Sequence, residues 1–182
     1  QFKVAVATVR GRSYYEIVLV LKSIGVNYDS MSPEQALLSN SRVIITTQEE
    51  AIIFAGSGKT ILLDAELEKY PAIAKAKIIK SMAAPNMDDQ LVIGIDPGTR
   101  IGISVIYLNN EIASILESSP SGTVQQVSAL LSGISSHKKV VRIGDGDIAM
   151  AKQMAWALKK RFGSNIRVEL VDEYGTSQTA DI

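Results

Sequence analysis

The chain contains no cysteine and only one histidine. The first absence removes disulfides, thiolate zinc sites and cysteine nucleophiles together, and it fits a reducing compartment. The second leaves His137, in the polar stretch SSHKK, as the sole imidazole. A histidine metal cluster is excluded, and a Ser–His–Asp triad could be built only through that residue. An excess of charge of one sign is also missing: 19 Lys and Arg stand against 19 Asp and Glu. A global basic footprint for nucleic acid is therefore absent, which leaves only local patches. No apolar run reaches the ~18–20 residues of a membrane span. The opening residues QFKVAVATVRGRSYYE show no basic region followed by an apolar run, so no signal peptide and a cytoplasmic location are expected.

What is present is apolar substance: 46% of 182 residues, enough for one ordinary domain or two small ones. Residues 2–9 are valine-rich and alternate, which predicts a strand. Ser13 and Glu16 form a capping-box pattern, with Ile17, Leu21 and Ile24 at helical spacing and Gly25 as the stop. Ser32-Pro33-Glu34-Gln35 repeats the start signal for a short helix to Asn40. Strands are expected over 42–47 and 61–64, and a helix over 71–82. The polar stretch AAPNMDDQ then separates two complete patterns. It sets a small α/β domain at 1–83, a linker at 84–90 and a second domain at 91–182. In the second domain, strands are expected over 91–95, 101–108 and 111–117. The last two form a hairpin turning at Asn109-Asn110. Helix, strand, helix and strand follow: residues 124–134, 139–143, 151–162 and 166–171. The chain stops in QTADI, where another helix is expected to begin.

The stretch FAGSGKT looks like the end of a phosphate-binding loop. The first glycine of that motif, however, falls on Ile53, whose β-branch resists the positive φ of such a turn. ILLD follows where a helix should open. The stretch reads as a turn between two apolar runs, with Lys59 exposed.

Three other stretches carry carboxylates at strand ends. In IGIDPGTRIGIS, Asp96 precedes Pro97-Gly98, and proline gives up a ladder bond where the backbone opens. Such a carboxylate either ligates a hard cation, as Mg²⁺ prefers, or caps its own turn. In IGDGD, Asp145 is the better ligand candidate, because Asp147 equally suits the N-cap of the next helix. In VDEYGTS, Asp172 and Glu173 follow a third apolar run. Neighbouring strands lie ~4.8 Å apart. Acids at adjacent strand ends can thus share two ions ~3.5–4 Å apart, the geometry of two-metal phosphodiester cleavage. Mg²⁺ or Mn²⁺ is the expected cofactor.

IGIDPGTRIGIS resembles the first motif of the RuvC and YqgF-like branch of the ribonuclease H superfamily, and DEYGTS resembles the box after the last core strand of YqgF-like proteins. The resemblance covers residues 91–182. It implies a ribonuclease H-like mixed sheet flanked by helices, preceded here by the small N-terminal α/β domain. It also implies that Asp96, Asp145 and Asp172 are the metal-binding catalytic acids, with Glu173 beside them. Tyr174 stands where that box commonly carries arginine, and Asp181 is the one trace of a further acid seen in related resolvases.

On the helix around Trp156, Lys152, Trp156, Lys159 and Lys160 share one side at 100° per residue. Lysines beside an aromatic suit a phosphate backbone and stacked bases, although a solvated face reads the same way. Arg100, just beyond Asp96, is a second phosphate contact. These readings point to a Mg²⁺-dependent nuclease acting on junction-like DNA or on RNA. The competitors are a non-catalytic relative that binds nucleic acid or protein in the same cleft, and an actin-like ATP-binding domain. The unmatched first half would serve as a docking or homodimerisation module.

Overall fold

A computed structural model describes residues 4–172 and 177–179. The chain is α/β throughout and divides into two compact units, Gln1–Ala84 and Pro85–Ile182.

The first unit has four strands: β1 (Val4–Ala7), β2 (Asp29–Met31), β3 (Val43–Thr46) and β4 (Thr60–Leu63). All pair in parallel, in the order β2-β1-β3-β4. β1 and β3 are buried at every position, as expected of strands covered on both faces. One layer consists of α1 (Gly11–Ser23), α3 (Asp64–Lys69) and α4 (Pro71–Met82). It packs Ile17, Leu21, Leu67 and Ile78 onto Val4, Val6, Val43 and Ile45. The other layer is α2 (Pro33–Leu38) and a 3₁₀ turn at Ala51–Phe54, which set Ala36 and Phe54 on Ala5, Ala7 and Ile44. Helices on both faces make this a doubly wound layer whose strand order reverses between β1 and β3.

Several local signals act as the sequence suggests. Ser32 and Gln35 form a reciprocal capping box on α2, and Gly25 closes α1 at φ 70°. Others act differently. α1 begins at Gly11 rather than after Ser13. The apolar run AIIF is a 3₁₀ turn, and DAELEK forms α3 directly after β4. Gly56 and Gly58 both take φ 74°, and Thr60 enters a strand, so the FAGSGKT stretch is a turn and not a phosphate cradle. Lys59 is not exposed there: its ammonium donates to the Ser39 and Ser41 carbonyls at 2.7 Å each, satisfying the loop after α2.

The second unit has six strands: β5 (Gln90–Asp96), β6 (Ile101–Tyr107), β7 (Asn110–Glu117), β8 (Lys138–Gly144), β9 (Arg167–Val171) and β10 (Ser177–Thr179). Their order is β10-β9-β8-β5-β6-β7. β5, β6 and β7 form an antiparallel meander; β8 runs parallel to β5, and β9 parallel to β8. Two helices complete the unit, α5 (Pro120–Gly133) over β6 and β7 and α6 (Ile148–Phe162) over β8 and β9. They pack against each other and so lie on one face. Leu91, Ile93 and Ile95 of β5 and Ile101, Ile103 and Val105 of β6 point into that layer.

The β6–β7 turn sits at Leu108-Asn109, one residue before the Asn-Asn pair, with φ of 49° and 63°. Leu108 takes this left-handed conformation despite its Cβ, and its side chain is buried. After β9 the described chain adds β10, antiparallel to it, where the sequence suggested a helix.

In the first unit the ends of β1 and β3 are tied by Glu50. Its carboxylate accepts hydrogen bonds from the Thr8 hydroxyl at 2.5 Å, the Thr47 hydroxyl at 2.8 Å and the Val9 amide at 3.0 Å. Burial acts to raise its pKa, but these donors and the Arg10 charge prevail and hold it below the ordinary carboxylate value. The stabilisation is therefore complete above the unfolded value of about 4.3 and is lost as pH falls through the lower folded one. Glu50→Gln should lower stability at pH 7 by roughly 1–2 kcal/mol. Urea unfolding at a series of pH values should show the gap closing below about pH 4.

Candidate functional site

Because Leu91, Ile93 and Ile95 face the helices, Gly94 and Asp96 face the other side of the sheet. Asp96 is the last residue of β5 and is exposed. Pro97 has no amide to continue the ladder and starts the turn to β6. β8 lies beside β5 and ends at Gly144, with Asp145 next. The Asp145 amide donates to the Val171 carbonyl at 3.0 Å, fixing this loop against the end of β9 just before Asp172. The parallel register thus brings Asp96, Asp145 and Asp172, scattered over the second unit, to one edge of three adjacent strands.

Glycine makes the edge close. A Cβ at Gly144 would meet Pro97 Cδ at 3.5 Å and Asp96 Oδ1 at 3.7 Å, so the Asp96 carboxylate lies directly against the β8 backbone. Below it opens a cleft of about 430 Å³ whose lining includes Gly94, Asp96, Gly102, Ser104, Ser114 and Arg142.

The acids differ in what they already do. Asp147 is committed: its carboxylate accepts the Met150 amide at 3.0 Å as the N-cap of α6. The carboxylates of Asp96 and Asp145 make no hydrogen bond or ion pair among the described residues. Glu173, Tyr174 and Asp181 lie outside the described residues. Uncommitted carboxylates are the donors a hard cation takes. Among the described residues, however, no three carboxylate or imidazole side chains converge closely enough to hold an ion. The fit to Mg²⁺ or Mn²⁺ is therefore one of donor chemistry at Asp96 and Asp145, not of a complete cage.

The basic residues named from the sequence are not gathered at this cleft. Arg100 is exposed in the turn after Pro97, four residues beyond Asp96. Trp156 is exposed on α6, whose Met154, Ala155 and Leu158 face the sheet, so it belongs to the helix-bearing side. Lys160 sits 4.8 Å from the centre of its ring. Lys159 is spent on its own helix end, donating to the Gly163 and Ile166 carbonyls at 3.3 and 3.0 Å. Lys152 is exposed on the same helix.

The cation that does line the cleft is Arg142. It was passed over in the sequence because it reads as one charge in an apolar strand. The signal was the alternation in KKVVRIG, which sends Arg142 to the face of Gly144 and away from Val141 and Ile143.

If Asp147 serves only as a cap, Asp147→Ala should cost about 1 kcal/mol of stability and Asp147→Ser almost none, read from urea unfolding midpoints.

No family model matches the chain, and no curated protein matches it. Among solved structures it is similar to ethanolamine utilization protein EutJ from Carboxydothermus hydrogenoformans, at 15% identity and a TM-score of 0.17. The match covers 91% of this chain and spans 65% of that one; a likeness at that level carries no argument about function. Among the described residues no helix is long and apolar enough to cross a membrane.

Proposed function

We propose that the second unit is a divalent-metal-dependent nuclease domain of the RuvC and YqgF-like type, cytoplasmic, acting on structured DNA or on RNA. The observation that supports this most is the placement of two exposed, uncommitted carboxylates, Asp96 and Asp145, at the ends of neighbouring parallel strands over an open cleft. The order of hairpin, helix, strand, helix and strand agrees with the resemblance seen in the IGIDPGTRIGIS motif.

In this reading Asp96 and Asp145 hold the ion, with Asp172 at the third strand end. A bound divalent ion would supply activation of the attacking water and neutralisation of charge on the leaving oxygen. The chain supplies the rest. Gly144 and Gly102 leave the carboxylate of Asp96 reachable by a phosphodiester, and Arg100 stands ready to contact it. The exposed Trp156 and Lys160 offer a separate surface for stacking and phosphate contact on the helix-bearing side.

A second reading, a relative that binds nucleic acid without cutting it, is favoured by the absence of a three-carboxylate cluster among the described residues. Cleavage assays decide between the two. Labelled four-way junctions, duplexes and RNA would be incubated with Mg²⁺ or Mn²⁺ and the products resolved. Asp96→Asn should reduce cleavage by more than the roughly 10–100-fold that loss of an outer-sphere partner costs. Cleavage untouched by that change would reject the site, and wild-type binding without cleavage would establish the second reading.

A further inference from the structure

On the open face of the second unit, the residues of β8 and β9 that alternate away from the helices include three bases, Lys138, Arg142 and Arg167. Arg142 pairs across to Glu169, and Val140 to Arg167. Lys138 is four residues before Arg142 and shares its side. Glu169 lies between the two arginines and is 5% exposed. One of its oxygens accepts a hydrogen bond from Arg142 Nε at 3.0 Å, and the other lies 2.9 Å from Arg167 Nε in an ion pair.

A buried carboxylate with two guanidiniums is an expensive arrangement for a sheet surface, since replacing such groups by apolar ones is often neutral or stabilising. Its geometric effect is to fix both arginines by their Nε atoms while both remain about half exposed. The terminal guanidinium nitrogens are then presented side by side as pre-oriented donors, the fork that matches phosphate. Counting one carboxylate against Lys138, Arg142 and Arg167, the strip is positive, although the chain as a whole is neutral.

The strip also leads somewhere. Arg142 lies two residues back along β8 from Gly144, against which Asp96 rests. From strand spacing and rise this places Arg142 and Asp96 about 8 Å apart at Cα. The floor between them is bare: Gly94 stands opposite both Arg142 and Ser104, and a Cβ on it would meet Ser104 Oγ at 2.6 Å. Ser104 and Ser114 add hydroxyls along the same row. A floor of glycine and serine beside anchored arginines suits a thin, charged, extended ligand rather than a bulky apolar one.

We propose that Arg142 and Arg167, aligned by Glu169, hold the phosphate backbone of a nucleic-acid strand in this cleft and feed it toward Asp96. This deepens the nucleic-acid reading above and rests on it. It does not depend on metal binding or on cleavage.

The test is therefore run without metal. Short fluorescein-labelled single strands of DNA and RNA would be titrated with the whole chain in EDTA over about 50–200 mM salt, following anisotropy. Arg142→Gln should weaken binding about 10-fold and flatten the log–log salt dependence by about 0.7, the loss of one phosphate contact on a single strand. Arg167→Gln should act in the same direction. Because Arg142→Gln leaves Glu169 with one partner, the double variant Arg142→Gln/Glu169→Gln removes the stranded charge and should bind as weakly. Ser104→Leu narrows the cleft without touching the ion pairs and should also weaken binding.

Unchanged affinity and salt slope in the folded variants would overturn the proposal, as would failure of the wild type to bind. A fluorescent ATP analogue run in parallel separates the sources of phosphate, and a loss confined to that ligand would overturn the nucleic-acid assignment. If cleavage in Mg²⁺ is absent while the Arg142 effect persists, the nuclease reading fails and this one stands. If cleavage occurs and the Arg142 variants bind normally, the reverse holds.

Discussion

The parallel pairing of β5, β8 and β9 is the constraint on which the second unit turns. Parallel strands begin and end together, so the loops that follow them emerge at one edge. Asp96, Asp145 and Asp172 come from separate parts of the sequence, and only the register Ile95–Ile143 and Gly144–Val171 makes them neighbours. The Asp145 amide bonded to Val171 secures that edge. A slip of one residue in β8 would exchange Val141 and Ile143 for Arg142 in the apolar layer, so burial itself enforces the register.

The same pairing divides the sheet into two chemically different faces. The side under α5 and α6 is filled by Ile, Val and Leu and is closed. The other carries Gly94, Gly102 and Gly144, two serines, and the arginines around Glu169. Trp156 and its lysines, though suggestive in sequence, belong to the closed side. The first unit solves its packing differently, with apolar residues consecutive in β1 and β3 and helices on both faces. Its polar knot at Glu50 stands where β1 and β3 part, and the three donors and the Arg10 charge around this carboxylate outweigh its burial and explain its lowered pKa.

Net neutrality conceals a local separation of charge. Acids gather at strand tips, and bases lie three to seven residues before them along the same strands on the open face. At 0.15 M salt the Debye length is about 8 Å, comparable to the spacing between the strip and Asp96. The two regions are therefore partly screened from each other and persist as distinct neighbours rather than cancelling.

The elements with strong local signals were legible in the sequence: α2 from Ser32, Pro33 and Gln35, α4 from Pro71, and the β6–β7 hairpin from alternation broken by asparagines. β2, only Asp29-Ser30-Met31 at a sheet edge, is too short to show an apolar period. α1 starts at Gly11, three residues before the position that Ser13 as a cap would set, with Arg10 at the N-cap. The Asp96 motif was visible because proline and glycine beside an aspartate are a local oddity. Arg142 and Glu169 were not, because their partnership spans 27 residues and exists only when β8 and β9 pair. The sequence by itself determined the alternation of elements and which side chains each strand could bury, since those follow from propensity and period. Which acids meet, which cations face them and which glycines leave room were decided by the tertiary structure, because hydrogen-bond register between distant strands is a property of the folded sheet alone.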